Sequence, residues 1–283
     1  MDLLRLLLTP SQGRSRAIYQ ILSTHNTLGE QSLYMNLGYW EHAHTYDEAC
    51  EALARLLGEA ARLGPSDDVL DVGFGFADQD MYWMRRFGPK RILGLNDAQT
   101  QVEVARRRVE EHGLDQQIML QYGSASRMPL KSERFDKVIA LEAAFHFTTR
   151  EDFFQEAYRV LRPGGKLAIA DIIPLSGMRK GWSTRIGTYL GRSFWQIPGA
   201  NVYLSDVYLD KLRSAGFQQI EMRSIRDQVY QPFAAYTRRR LEEPQIKERL
   251  HPLVRRLWKL GVRRRLITES LDYLFVTANK AAR

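Results

Sequence analysis

The stretch Val69-Leu70-Asp71-Val72-Gly73-Phe74-Gly75-Phe76-Ala77 decides how this 283-residue chain is read. Its first four residues pattern as a buried strand that carries an acid near its end. Two glycines then permit a tight turn and let the backbone come close to a ligand. A dinucleotide-binding turn begins the same way, but it has a third glycine three places after the second and sets a pyrophosphate on a helix N-terminus. Here that third place is Asp78, whose carboxylate repels phosphate. Asp71 and Asp78 together favour a ligand with positive charge near the turn.

On either side of this stretch, short β-rich runs alternate with helical patterns. The runs are residues 69–72, 91–95, 118–120, 135–140 and 166–170, with two more at 217–222 and 273–277. This rhythm predicts an α/β fold: a doubly wound, mainly parallel seven-stranded sheet with helices on both faces. Ligands of such sheets lie beyond the carboxyl ends of the strands, so the chemistry is sought in a few short loops. Thr45 to Leu63 reads as a helix with Leu53, Leu56, Leu57 and Ala60 on one face, stopped by Gly64-Pro65. Between Pro174 and Leu204 the periodicity weakens and Gly, Ser and aromatic residues take over, as suits a substrate cover. The expected organisation is a helical N-terminal lid over 1–64, a cofactor-binding core over 65–175, a substrate cover inserted at 176–204, and a C-terminal part of the core with a basic helical segment over 205–283.

Composition narrows the class further. Cys50 is the only cysteine, which excludes an intrachain disulfide and a thiolate-built metal site and favours a reducing, cytoplasmic home. The leucine-rich start, Leu3 to Leu8, is interrupted by Arg5 and reads as an amphipathic helix; no run approaches the roughly 18–20 apolar residues that span a bilayer. The net charge of +8 comes from residues 221–283, which hold 15 basic and 7 acidic side chains, clustered at Arg238-Arg239-Arg240, Arg255-Arg256 and Arg263-Arg264-Arg265. Such clusters attract anions, so peripheral contact with a membrane surface is compatible with them. No nucleic-acid-reading module accompanies the clusters, and nucleic acid is not the expected partner. Oligomeric state is left open, a homodimer included.

With these motifs in place, the chain resembles the class I S-adenosylmethionine-dependent methyltransferases, which have a Rossmann-like fold. The resemblance is to the branch that modifies sterols, tocopherols, sugars and polyketides. It rests on four segments in order: Asn36-Leu37-Gly38-Tyr39-Trp40, the glycine turn, Gly94-Leu95-Asn96-Asp97-Ala98-Gln99-Thr100-Gln101, and Pro163-Gly164-Gly165 before the fifth strand. The resemblance implies that S-adenosylmethionine is the cofactor. It gives Asp71 the methionine ammonium and makes Gly73, Phe74 and Gly75 the close-approach turn. Asn96 falls to the ribose and Ser124, or the backbone of Ala125, to the adenine amine, while Tyr34, Trp40, Asp97, Gln101 and Leu141 complete the implied cofactor-binding set. Asn96 and Ser124 stand where acids are commoner in the family; an amide still donates and accepts at the ribose.

The fourth strand runs into Leu141-Glu142-Ala143-Ala144-Phe145-His146, which sets two candidate catalytic groups, Glu142 and His146, where the activated methyl would point. Histidine is the side chain whose free pKa lies nearest neutrality, so His146 is the expected base toward a hydroxyl acceptor. The aromatic cover makes that acceptor an apolar small molecule such as a polyketide, terpenoid or phenolic lipid. The competing readings are C-methylation of a prenyl diphosphate or alkene, with Glu142 facing a cation, and a methyltransferase-like cyclase or binding protein that uses the cofactor structurally. No metal site is expected.

Overall fold

A computed structural model of the chain describes residues 28–29, 31–175, 197–249, 252, 255–256 and 270–282. The first part of the expected lid, residues 176–196 of the expected cover and the basic cluster at 263–265 lie outside the described residues.

The sheet has seven strands in the order β3-β2-β1-β4-β5-β7-β6. These are β1 (Asp68–Val72), β2 (Arg91–Asn96), β3 (Ile118–Tyr122), β4 (Phe135–Leu141), β5 (Leu161–Pro174), β6 (Gln218–Ser224) and β7 (Leu271–Asn279). β1 to β5 pair in parallel, whereas β7 runs antiparallel to both β5 and β6. Every residue of β1 is buried, as a central strand covered on both faces requires.

The period-two alternation splits the strands between two cores. Val69, Ile92, Ile139 and Ala168 point to one side, with α1 (Tyr46–Ala61), α2 (Asp78–Phe87), α3 (Gln99–Glu111) and α6 (Arg226–Arg240). Leu70, Leu93, Val138 and Leu167 point to the other, with α4 (Arg150–Val160) and α5 (Ser205–Ser214). A short helix, α7 (Pro244–Arg249), follows α6.

α1 begins where the sequence places it. The Thr45 hydroxyl accepts the Glu48 N–H at 3.2 Å, and the Glu48 carboxylate accepts the Thr45 N–H at 3.2 Å, a reciprocal cap worth about 1 kcal/mol. The helix buries Ala49, Cys50, Leu53, Ala54, Leu57 and Ala61, whereas Leu56 and Ala60 are only partly covered. The Pro163-Gly164-Gly165 turn sits inside β5 as an excursion: the register with β4 jumps from Phe135–Leu161 to Lys137–Lys166. Among the described residues no helix is long and apolar enough to cross a membrane.

The strand order reverses between β1 and β4, so their carboxyl ends diverge and leave a crevice. That crevice is where the glycine turn and the Glu142–His146 segment meet.

Candidate active site

A cavity of about 260 Å³ opens at this switch point. One wall is the extended strap Leu33 to Asn36; the floor is Gly73 to Phe76, with Asp78 and Gln79 from the first turn of α2. The far end carries Asn96, Asp97, Ala98 and Gln101, and the near end Leu141, Glu142, Ala143, His146 and Phe147.

Two glycines shape the floor. Gly73 has φ +89, and a Cβ there would stand 2.3 Å from the Cβ of Ala143. Gly75 has φ +58, and its Cβ would stand 2.9 Å from Cε of Met35 in the strap. Any side chain would close the space between turn, strap and the β4 loop, and both positions need the left-handed backbone that glycine adopts freely.

The acids near the turn are arranged differently from the expectation of two free charges. Asp71 is fully buried and lies beneath the cavity wall; its carboxylate accepts from Gln79 Nε2 at 3.0 Å. It is Gln79 that reaches the wall. Burial pushes Asp71 up to about 7, opposed by the Gln79 bond. Asp80, also fully buried, is raised by burial and then by the charge of Asp71. Burial and mutual repulsion together keep the pair from carrying two negative charges. Asp78 is neutralised by Arg108, whose Nη1 and Nη2 reach its two oxygens at 2.6 and 2.8 Å. Sequence reasoning missed Gln79 and Met35 as wall residues; the only available signal was Gln79's place on the helical turn directly after the glycines.

At the far end, Asn96 Nδ2 donates to Gln101 Oε1 at 2.8 Å, and Asn96 Oδ1 accepts the Ala98 N–H at 3.4 Å. The wall there presents the amides of Asn96 and Gln101 beside the carboxylate residue Asp97. Tyr34 lines the cavity, and burial raises its hydroxyl pKa well above the ordinary tyrosine value.

Glu142 stands at the near end with φ +51. One carboxylate oxygen accepts both the Leu37 N–H at 2.8 Å and the Tyr273 hydroxyl at 2.7 Å, so β4, β7 and the strap converge on a single atom. Burial pushes its pKa up to about 8 against the pull of these two donors. His146 follows on the short 3-10 turn Ala144–His146 and lines the same cavity.

Four expected residues lie outside the cavity wall: Asp71, Trp40, Ser124 and Ala125. Trp40 packs behind the strap, 4.9 Å from the ring of Tyr236, and its indole N–H donates to Leu37 O at 2.7 Å. Ser124 caps a turn by accepting the Ser126 N–H at 3.2 Å, while Ala125 is buried in the second core. Tyr34, Gly73, Phe74, Gly75, Asn96, Asp97, Gln101, Leu141, Glu142 and His146 are brought together around one space.

Comparison with known proteins agrees with this fold. Residues 70–169 match a family model described as a methyltransferase domain. The chain is 36% identical to erythromycin 3''-O-methyltransferase of Saccharopolyspora erythraea, over 94% of this chain and 90% of that protein. Among solved structures it resembles the cyclase SpnF, with TM-score 0.74 and 22% identity over 97% of this chain and 98% of that one. It also resembles phosphoethanolamine N-methyltransferase 2 of Haemonchus contortus, solved in complex with S-adenosyl-L-methionine. That likeness has TM-score 0.77 and 16% identity, covering 95% of this chain and 59% of the other. At these identities the two structural likenesses speak for the fold alone.

Proposed function

This chain belongs to the class I S-adenosylmethionine-dependent methyltransferases, and from that premise we propose that it methylates a hydroxyl group of an apolar, polyketide-type natural product. The observation that carries the reading is the near full-length likeness to a macrolide O-methyltransferase. A histidine in the cavity wall next to the glycine turn supports it.

The residues present suit the cofactor. The glycine floor is a cradle that any Cβ would fill, the amides of Asn96 and Gln101 match ribose hydroxyls, and Gln79 offers a polar group at the methionine end. When bound, the cofactor supplies an electrophilic methyl group on a leaving group that departs as a neutral thioether.

The chain's own work is to align, to exclude water and to move a proton. In-line displacement needs the acceptor oxygen held close to the methyl in good alignment. We assign proton removal from that oxygen to an imidazole nitrogen of His146. Glu142 ties the end of the strap, at Leu37, to the near end of the cavity. The acceptor is a small molecule, as the relative's name says of that protein.

The test is a His146→Ala variant assayed for turnover and cofactor affinity. Turnover is expected to fall roughly 10²-fold or more while the cofactor Kd stays within about twofold. Undiminished turnover would remove His146 from the chemistry.

A further inference from the structure

The turn that carries His146 is secured from outside its own strand and helix. Asn201 ends the short turn Gly199–Asn201 and is 1% exposed. Its Nδ2 donates to the carbonyl oxygens of Phe145 at 3.2 Å and Phe147 at 2.7 Å, the residues on either side of His146. Its Oδ1 accepts the backbone N–H of Arg150, the first residue of α4, at 2.8 Å. All three bonds of this amide go to one short segment, from Phe145 to Arg150.

The same neighbourhood contains a second anchor that does not use the Asn201 side chain. Arg150 is fully buried; its Nε lies 2.7 Å from Asp171 Oδ2, and its Nη2 donates to Ile172 O at 2.6 Å. The Tyr208 hydroxyl donates to the same Asp171 oxygen at 3.1 Å. The rings of Tyr203 and Tyr208 lie 5.2 and 5.6 Å from the guanidinium carbon. The remaining donor, Nη1, goes to the main-chain carbonyl of Asn201, which any residue at that position supplies. Arg150 and Asp171, with the apolar side chains of α4 and α5, join these helices to β5 without the Asn201 side chain. The amide of Asn201 gives both of its donors to the His146 turn and its acceptor to the first N–H of α4.

We infer that Asn201 is a positioning residue for methyl transfer, holding the His146 turn at the reach the base requires. Both amide protons grip the peptides flanking His146, so the imidazole's starting point is fixed relative to β5 and α4. This rests on the reading of His146 as the base. A displacement of about 1 Å at such a group costs on the order of 10²-fold in rate, so a side chain that touches no substrate atom still registers in turnover. Asn201 is not among the residues lining the cavity, and its side-chain bonds go to Phe145, Phe147 and Arg150, which separates its effect from cofactor binding.

The test is a double-mutant cycle between Asn201 and His146. Asn201→Asp keeps an acceptor for the Arg150 N–H and removes both donors; Asn201→Ser keeps one donor and serves if the aspartate variant is poorly folded. The aspartate variant is expected to lose at least about 10-fold in kcat, with the serine variant between it and the parent and the cofactor Kd within about twofold. In a His146→Ala background the same substitutions are expected to change kcat no further, because no base is left to misplace. The titration midpoint of the His146 ring, followed by NMR, is expected to move in the Asn201 variants with the cofactor bound. Equal losses in both backgrounds, or no loss in either, would overturn the positioning role. A His146→Ala enzyme with parental turnover is a different outcome: it removes the base reading, and this inference falls with it.

Discussion

Glu142→Gln is expected to make the protein more stable at about pH 8 and to leave it unchanged below about pH 4.5. The folded protein holds the Glu142 proton up to about 8, against an ordinary value of 4.5. Because the folded state binds this proton more tightly than the unfolded chain, its stabilising contribution is full below the ordinary value. It is lost as pH rises, and the loss levels off above about 8. At about 1.4 kcal/mol per pH unit, the whole shift sets a ceiling of about 5 kcal/mol. Part of the side chain faces the cavity and its water, so we expect about 2–3 kcal/mol of that ceiling. Glutamine keeps the geometry, since its carbonyl oxygen can accept from Leu37 and Tyr273 as the carboxylate does. Urea unfolding of both proteins across this pH range gives the difference directly. Parallel pH profiles, or a variant less stable at about pH 8, would refute the claim that Glu142 is a strained buried acid.

Two further substitutions probe the floor and the support of the site. Gly75→Val is expected to abolish cofactor binding in calorimetry, because its side chain would occupy the space between turn and strap; the positive φ adds about 1–2 kcal/mol of destabilisation. A saturable cofactor signal in that variant would argue against the glycine floor. Arg150→Ala leaves Asp171 buried and unpaired, and a loss of about 3–5 kcal/mol in unfolding free energy is expected. A loss below about 1 kcal/mol would show the pair to be incidental to the fold.

Much of the sheet was legible because its central strands are buried on both faces, which writes them as short apolar runs: 69–72 for β1 and 91–95 for β2. α1 was legible from its cap, Thr45 and Glu48, and its apolar stripe. The start of β5 was not, since Pro163 and two glycines signal a turn while the strand in fact begins at Leu161 and bulges around them. Nor was the insertion of β7 between β5 and β6, because pairing partners leave no trace in a strand's own composition. At the site, the glycines and the Glu142–His146 segment were legible from their place after β1 and β4. The fate of the acids was hidden: Asp78 meets Arg108 thirty positions away, and Asp71 turns inward to Gln79. Trp40 reads as a cofactor-wall residue from its motif, and the Tyr236 ring that claims it comes from a helix late in the chain.

Transfer of a methyl group from S-adenosylmethionine to a hydroxyl oxygen is tested by supplying methyl-labelled cofactor with a panel of hydroxylated macrolides. The reading predicts S-adenosylhomocysteine and a product whose label sits on oxygen, located by mass and NMR, with formation lost in the His146→Ala variant. A labelled carbon–methyl bond, or acceptor conversion with the cofactor returned intact, would contradict it.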